Sequence, residues 1–125
     1  KVGAKNVIFT GHTRFDEILA YYKLSDLFLC MSEHEGFCVP LVEAMFFNIP
    51  IVAYASSAIP GTLNGSGFLL NEKNPDLTAA IMNRILTSEE LKTNILKNQQ
   101  ERLSDFSHSK VEELFWKFTE ELLAK

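Results

Sequence analysis

Nowhere does this chain hold a run of roughly 18 apolar residues, so no membrane-spanning helix is expected. Residues 1–5 carry no apolar core of a signal peptide. Cysteine is scarce: Cys30 and Cys38 are too few for a disulfide framework, and a reduced, cytoplasmic setting is the expectation. Basic residues are outnumbered, 12 Lys and Arg against 16 Asp and Glu, giving a net charge of -4. Broad nucleic-acid binding needs a basic face and is excluded on that ground. No G-x-G-x-x-G follows an apolar run, so dinucleotide binding is unsupported. No D-x-D occurs, so a metal-dependent diphosphate grip and a metal cofactor are not expected. No Ser/His/Asp set is arranged for acyl transfer. His12, His34 and His108 lack metal-ligand spacing among themselves and with the cysteines. There is no internal repeat, and no Gly/Ser linker divides the 125 residues.

What remains is one domain or less, 46% hydrophobic, with enough apolar residues for a core. Val7-Ile8-Phe9, closed by Gly11, reads as a buried strand. Residues 14–24 form an amphipathic helix through Phe15, Ile18, Leu19 and Tyr22, with Thr13 as cap and Asp16 as its weak capping-box partner. Residues 27–31 are a second strand, too continuously apolar to have a wet face, as in a parallel sheet covered on both sides. Asn48 stops the next helix, and Ile51-Val52-Ala53-Tyr54 is a third strand. Residues 56–67 read as loop, being rich in Ser, Pro, Gly and Asn. Phe68-Leu69-Leu70 is a short fourth strand. Asn74-Pro75 opens a helix carrying Leu77, Ile81, Ile85 and Leu86. Residues 87–90 form a capping box for another, with Leu91, Ile95 and Leu96 inward, and residues 109–112 repeat the device. The last helix carries Val111, Leu114, Phe115, Phe118 and Leu122 on one side. Strands alternating with helices predict a parallel α/β sheet of about four strands.

The chain is organised around residues 32–45, S-E-H-E-G-F-C-V-P-L-V-E-A-M. The apolar strand precedes it, and after Pro40 the pattern turns helical. Proline at the first helical position is well placed, because that N–H has no intrahelical partner. Strand, loop, helix N-terminus is the arrangement that binds anions in open α/β sheets. Glu35 falls in the loop just past the strand and Glu43 near the first turn of the helix. Ionised carboxylates only accept hydrogen bonds, so they suit vicinal hydroxyls, while main-chain amides suit a phosphate. A ligand with a diphosphate and sugar hydroxyls, a nucleotide-sugar, satisfies both demands.

Glu35-Gly36-Phe37-Cys38-Val39-Pro40-Leu41-Val42-Glu43 resembles the E-x7-E signature of retaining glycosyltransferases of family 4, "group 1", with the two-domain GT-B fold. Residues 6–11, 26–29, 50–53 and 67–70 extend the likeness in the right order over nearly the whole chain. The resemblance implies a Rossmann-like sheet ordered 3-2-1-4-5-6, whose third to sixth strands match this chain. It implies that residues 1–125 are the C-terminal portion of the donor-binding domain, the first two strand–helix units and the N-terminal acceptor domain lying outside the chain. Standing alone, such a unit exposes sheet edges or repacks. By resemblance, Glu35 touches the donor sugar near its anomeric centre, as the catalytic residue, and Glu43 binds the ribose diol. The resemblance implies that residues 36–41 (Gly36, Phe37, Cys38, Val39, Pro40, Leu41) bind the donor, the main-chain N–H groups among them, which Pro40 lacks, gripping sugar hydroxyls and the distal phosphate. The bland alternatives are a solvated loop acid and a helix-dipole acid. His34 is a candidate pocket-lining residue and His12 a weaker one; His108 reads as surface. Cys30 reads as core.

The implied reaction moves a hexose-type sugar from a nucleotide-diphosphate donor to a hydroxyl of a saccharide or lipid-linked acceptor. Peripheral membrane contact is expected only through parts outside this chain. The family's second glycine is Cys38 here, a tolerated small residue in a place expected to be cramped. Asn48 replaces a glycine, Phe46 and Phe47 replace smaller residues, and Gly61 stands where glutamate is common. The basic residues that neutralise the leaving diphosphate belong to the units outside the chain, so this chain alone is expected to be inactive. Two rival readings are a non-catalytic interaction module with a degenerate donor site and a nucleotide-sugar epimerase of the same fold.

Overall fold

The computed structural model describes residues 3–124. Among them the order is α1 (Phe15–Leu24), β1 (Phe28–Cys30), α2 (Val39–Phe46), β2 (Ile51–Tyr54), α3 (Ile59–Leu63) and β3 (Phe68–Leu70). Then come α4 (Pro75–Thr87), α5 (Glu89–Leu103), a 3₁₀ turn (Ser104–Phe106) and α6 (His108–Leu123). The sheet is parallel, ordered β1-β2-β3, with Phe28 opposite Ile51 and Val52 opposite Phe68.

β2 is central, and its first three residues are fully buried, as a strand with helices on both faces requires. Its alternation splits the core. Ile51 and Ala53 face Leu41, Ala44, Met45, Ile59 and Leu63, whereas Val52 faces Leu70, Ile85 and Ile95. The α/β class holds, but three strands form among the described residues rather than four. Val7-Ile8-Phe9 is not a strand: Ile8 is 85% and Phe9 94% exposed. A strand exists only by pairing, and no described strand lies beside this run.

Several boundaries move for local reasons. Arg14, not Thr13, precedes α1; its amide donates to Glu17 Oε2 at 3.1 Å, while Asp16 pairs with the Arg14 guanidinium at 3.1 Å. The 56–67 segment is not wholly loop. Ile59 and Leu63, one helical turn apart, are both buried and draw in α3, which Asn64 ends in the left-handed conformation at φ 47. Ser88 alone caps α5, and Ser107 rather than Ser109 precedes α6. Asn74 caps α4 as read, its Oδ1 accepting from the Leu77 amide at 3.0 Å.

Two devices fix α2 against the sheet. Asn48 adopts φ 56 just past the helix, and the Asn48 and Ile49 amides return to the Met45 and Ala44 carbonyls at 3.1 and 3.0 Å. This closing turn favours glycine and tolerates asparagine, so Asn48 here is accommodated rather than disruptive. The second device is Gln99, wholly buried on α5. Its Oε1 accepts from the Ile51 amide at 3.0 Å and its Nε2 donates to the Ile49 carbonyl at 2.8 Å. Packing favours glycine at Gly67: a Cβ there would lie 3.3 Å from the Ile51 carbonyl oxygen and 3.2 Å from Leu63, so these neighbours would have to yield.

Candidate active site at the mouth of helix α2

The loop of residues 32–38 leaves β1 and enters α2. Its carbonyls are tied down from one direction. Ser56 Oγ donates to the Ser32 carbonyl at 2.7 Å, the Ala58 amide to the Glu35 carbonyl at 3.3 Å, and Thr62 Oγ1 to the Phe37 carbonyl. Lys73 Nζ pairs with Glu33 at 2.8 Å and holds that carboxyl below its usual range. With the carbonyls so engaged, the Gly36, Phe37 and Cys38 amides donate to no acceptor among the described residues. They lie at the positive end of α2, where an anion is favoured.

Cys38 is the residue before the helix, in the left-handed region at φ 66, and its carbonyl accepts from the Leu41 amide at 3.0 Å. That backbone favours glycine. The side chain turns into the core and is 5% exposed, so it is accommodated without filling the mouth. Pro40 is the second residue of α2 rather than the first, a position whose N–H is equally dispensable. Val39, Pro40, Phe37 and Gly36 are exposed, so core side chains do not cover the mouth.

Glu35 is half-buried, its carboxylate beside Cys38 and Cys30: one donor atom from each of the three lies within 4.8 Å of the others. Burial, then Cys30, then Glu35 push the Cys38 thiol up to about 12, so it is neutral at physiological pH and no nucleophile. Glu43, also half-buried, accepts at Oε2 from the Tyr22 hydroxyl at 2.8 Å. Burial first, and that hydrogen bond second, raise the Tyr22 phenol well above its ordinary value. The Cys38 thiol adds to this rise. Tyr22 stacks on Phe47 at 5.3 Å and Phe28 at 6.0 Å, which fixes its hydroxyl. No donor among the described residues reaches Glu43 Oε1. An apolar groove of about 320 Å³ between α1 and α2 begins at Glu43 and runs past Val42, Phe46 and Ile18.

His34 is exposed, with Nδ1 3.3 Å from Ser57 Oγ at the loop's edge. His12 is exposed within the unpaired N-terminal run, and His108 faces Glu112 at 3.7 Å on α6. Sequence reading missed Tyr22 as Glu43's partner, since the two are 21 residues apart. It also missed Arg102, whose guanidinium donates to the Thr62 and Gly61 carbonyls at 3.0 Å and packs on Phe106 at 4.6 Å.

The domain is thus a parallel α/β sheet with unpaired amides at a helix mouth, Glu35 in the same loop and Glu43 further along α2. Residues 2–102 match the family described as "Glycosyl transferases group 1", and the chain belongs to that family. A serotype-specific mannosyltransferase, WbdA, of Escherichia coli is 31% identical over 83 residues, 66% of this chain and 10% of that protein. An MMP alpha-(1->4)-mannosyltransferase of Mycolicibacterium hassiacum is 33% identical over 92 residues, 70% of this chain and 22% of its own length. The chain therefore spans from about a tenth to about a quarter of these relatives. Among solved structures, the C-terminal domain of a glycosyl transferase group 1 family protein (LpcC) from Francisella tularensis superposes with a TM-score of 0.66 at 23% identity, over 78% of this chain and 51% of that one. A GtfA/B complex superposes at 0.67 and 21% identity, over 92% of this chain and 24% of that one. This likeness is one of fold, the C-terminal part of the GT-B architecture. No helix among the described residues is long and apolar enough to cross a membrane.

Proposed function

We propose that this chain supplies the donor-binding part of a retaining glycosyltransferase acting in the cytoplasm. The observation that carries the reading is the pairing of free amides at residues 36–38 with Glu35 and Glu43 on either flank. The amides hold the distal phosphate, Glu35 holds sugar hydroxyls near the anomeric carbon, and Glu43 holds the ribose diol through Oε1. The C1–O bond to phosphate breaks while the acceptor oxygen bonds C1 from the same face, and the acceptor's proton passes to the leaving phosphate oxygen. No metal is invoked. The acceptor is a saccharide or lipid-linked hydroxyl, and the acceptor domain lies in sequence beyond this chain. The donor sugar is a hexose; the mannosyltransferase relatives make a mannose nucleotide the first to try. Lys73, which reaches the 32–38 loop, is engaged by Glu33, and Arg102 is engaged by Asp105, so transfer by this chain alone should be very slow.

Of the three departures that favour a degenerate module, Cys38, Asn48 and Gly61, two lose weight, since Asn48 fits its turn and Cys38 points inward. Calorimetric titration of the full-length protein with GDP-, UDP- and ADP-sugars tests the reading. Glu43→Ala should weaken the bound donor at least about tenfold, a loss of about 1.4 kcal/mol or more. Affinity indifferent to Glu43→Ala, or no donor bound at all, rejects it.

A further inference from the structure

Cys30 closes β1 and Cys38 precedes α2, so the two sulfurs bracket the 32–38 loop, 3.9 Å apart. In a tetrahedral zinc site with Zn–S of about 2.3 Å, two thiolates lie roughly 3.8 Å apart. The two thiols, in hydrogen-bond contact without metal, already stand close to the separation a metal would need, and not at the S–S bond length of about 2.05 Å of a disulfide. Glu35, between them in sequence, brings a carboxylate oxygen within 4.8 Å of both sulfurs. Hydrogen bonds from Ser56, Ala58 and Thr62 hold this loop without using any of the three donor groups. Two sulfurs and one oxygen suit a borderline-soft divalent ion and not Mg²⁺ or Ca²⁺.

The geometry points to a zinc-class metal site made by Cys30, Glu35 and Cys38, with one position left for a fourth ligand. Binding M²⁺ releases one proton from each thiol to water, and the metal, two thiolates and one carboxylate leave the site with a net charge of −1. The ion occupies the carboxylate that the proposed function assigns to the donor sugar. Resting on that reading, the ion and the donor exclude each other, and zinc-class metals are inhibitors of this protein rather than cofactors.

The test uses the full-length protein, reduced and stripped with a chelator, then titrated with Co²⁺. The result expected is a thiolate-to-metal charge-transfer band that saturates at one equivalent and is abolished by equimolar Zn²⁺. Cys30→Ser and Cys38→Ser should each remove it while leaving the circular dichroism unchanged. If Cys38→Ser fails to fold, Cys30→Ser alone decides. Glu35→Gln should keep the band and weaken binding about tenfold or more. No band in the reduced protein, a band that survives Cys30→Ser, or loss of two hydrogens by mass spectrometry without metal uptake (a disulfide) overturns the site. Because Co²⁺ absorption needs no donor, a failed donor titration leaves this result standing, whereas metal and donor bound together removes only the exclusion.

Discussion

Helices α2 and α6 are both amphipathic, yet only one is held by what its pattern buries. α2 has eight residues and sinks Leu41, Ala44 and Met45 completely into the core under β2. α6 has 16 residues, none of them buried, and leaves Phe115 62%, Trp116 55% and Leu122 72% exposed. Its main neighbour is the 3₁₀ turn that leads into it. Apolar periodicity therefore forecasts a helix in both places, but the stabilisation comes from the surface that receives the stripe. The candidate site stands at the firmly held end of this contrast, as groups that must hold a geometry require.

The contrast is broken most forcefully by truncating the received side chains. Leu41→Ala or Met45→Ala should destabilise the fold by about 3–5 kcal/mol in urea unfolding, the cost of a cavity in a close-packed core. Gln99→Leu should cost somewhat less, about 2–4 kcal/mol, because it strands the buried Ile51 N–H and Ile49 carbonyl. Tyr22→Phe comes next, at about 1 kcal/mol near neutral pH, from a half-exposed hydrogen bond to a carboxylate.

That same variant carries a pH signature. The phenol's value in the folded chain is raised above its unfolded value of about 10. Its stabilisation is thus complete below pH of about 10 and declines as the pH climbs further. The gap in stability between wild type and Tyr22→Phe should narrow over that alkaline range, followed by urea midpoints at stepped pH. At the far end, Phe115→Ala should change stability by less than about 0.5 kcal/mol, because the ring is already largely in water. A loss as large as that of Leu41→Ala would mean that α6 is covered in solution and would erase the contrast.

The strands at Phe28–Cys30, Ile51–Tyr54 and Phe68–Leu70 were legible because short apolar runs bounded by breakers leave few alternatives. The helices from Pro75 and Glu89 were legible from Asn74 and Ser88, whose side chains cap locally. Val7-Ile8-Phe9 has the same apolar character and is not a strand, since pairing is a relation between segments and not a property of one. α3 was hidden in a stretch of turn-forming residues because its reason to exist, burial of Ile59 and Leu63, is tertiary. At the site, spacing alone set Glu35 and Glu43 on one loop and helix. Neither the Tyr22 hydroxyl nor the Cys30–Cys38 contact could be read that way, since both depend on how α1 and β1 lie against α2.

The 3₁₀ turn before α6 places the Phe106 ring edge-on against Phe37, 5.5 Å between centres, in the loop ahead of α2. Arg102, clamped over the same ring, backs it like a bracket. A tug on the tail helix thus has a short mechanical route to the loop of residues 32–38: two aromatic rings in series, stiffened from behind. Phe106→Ala would cut that linkage, and hydrogen exchange at residues 36–38 should then quicken while exchange in β2 stays slow; unchanged exchange in the loop would show that the rings transmit nothing.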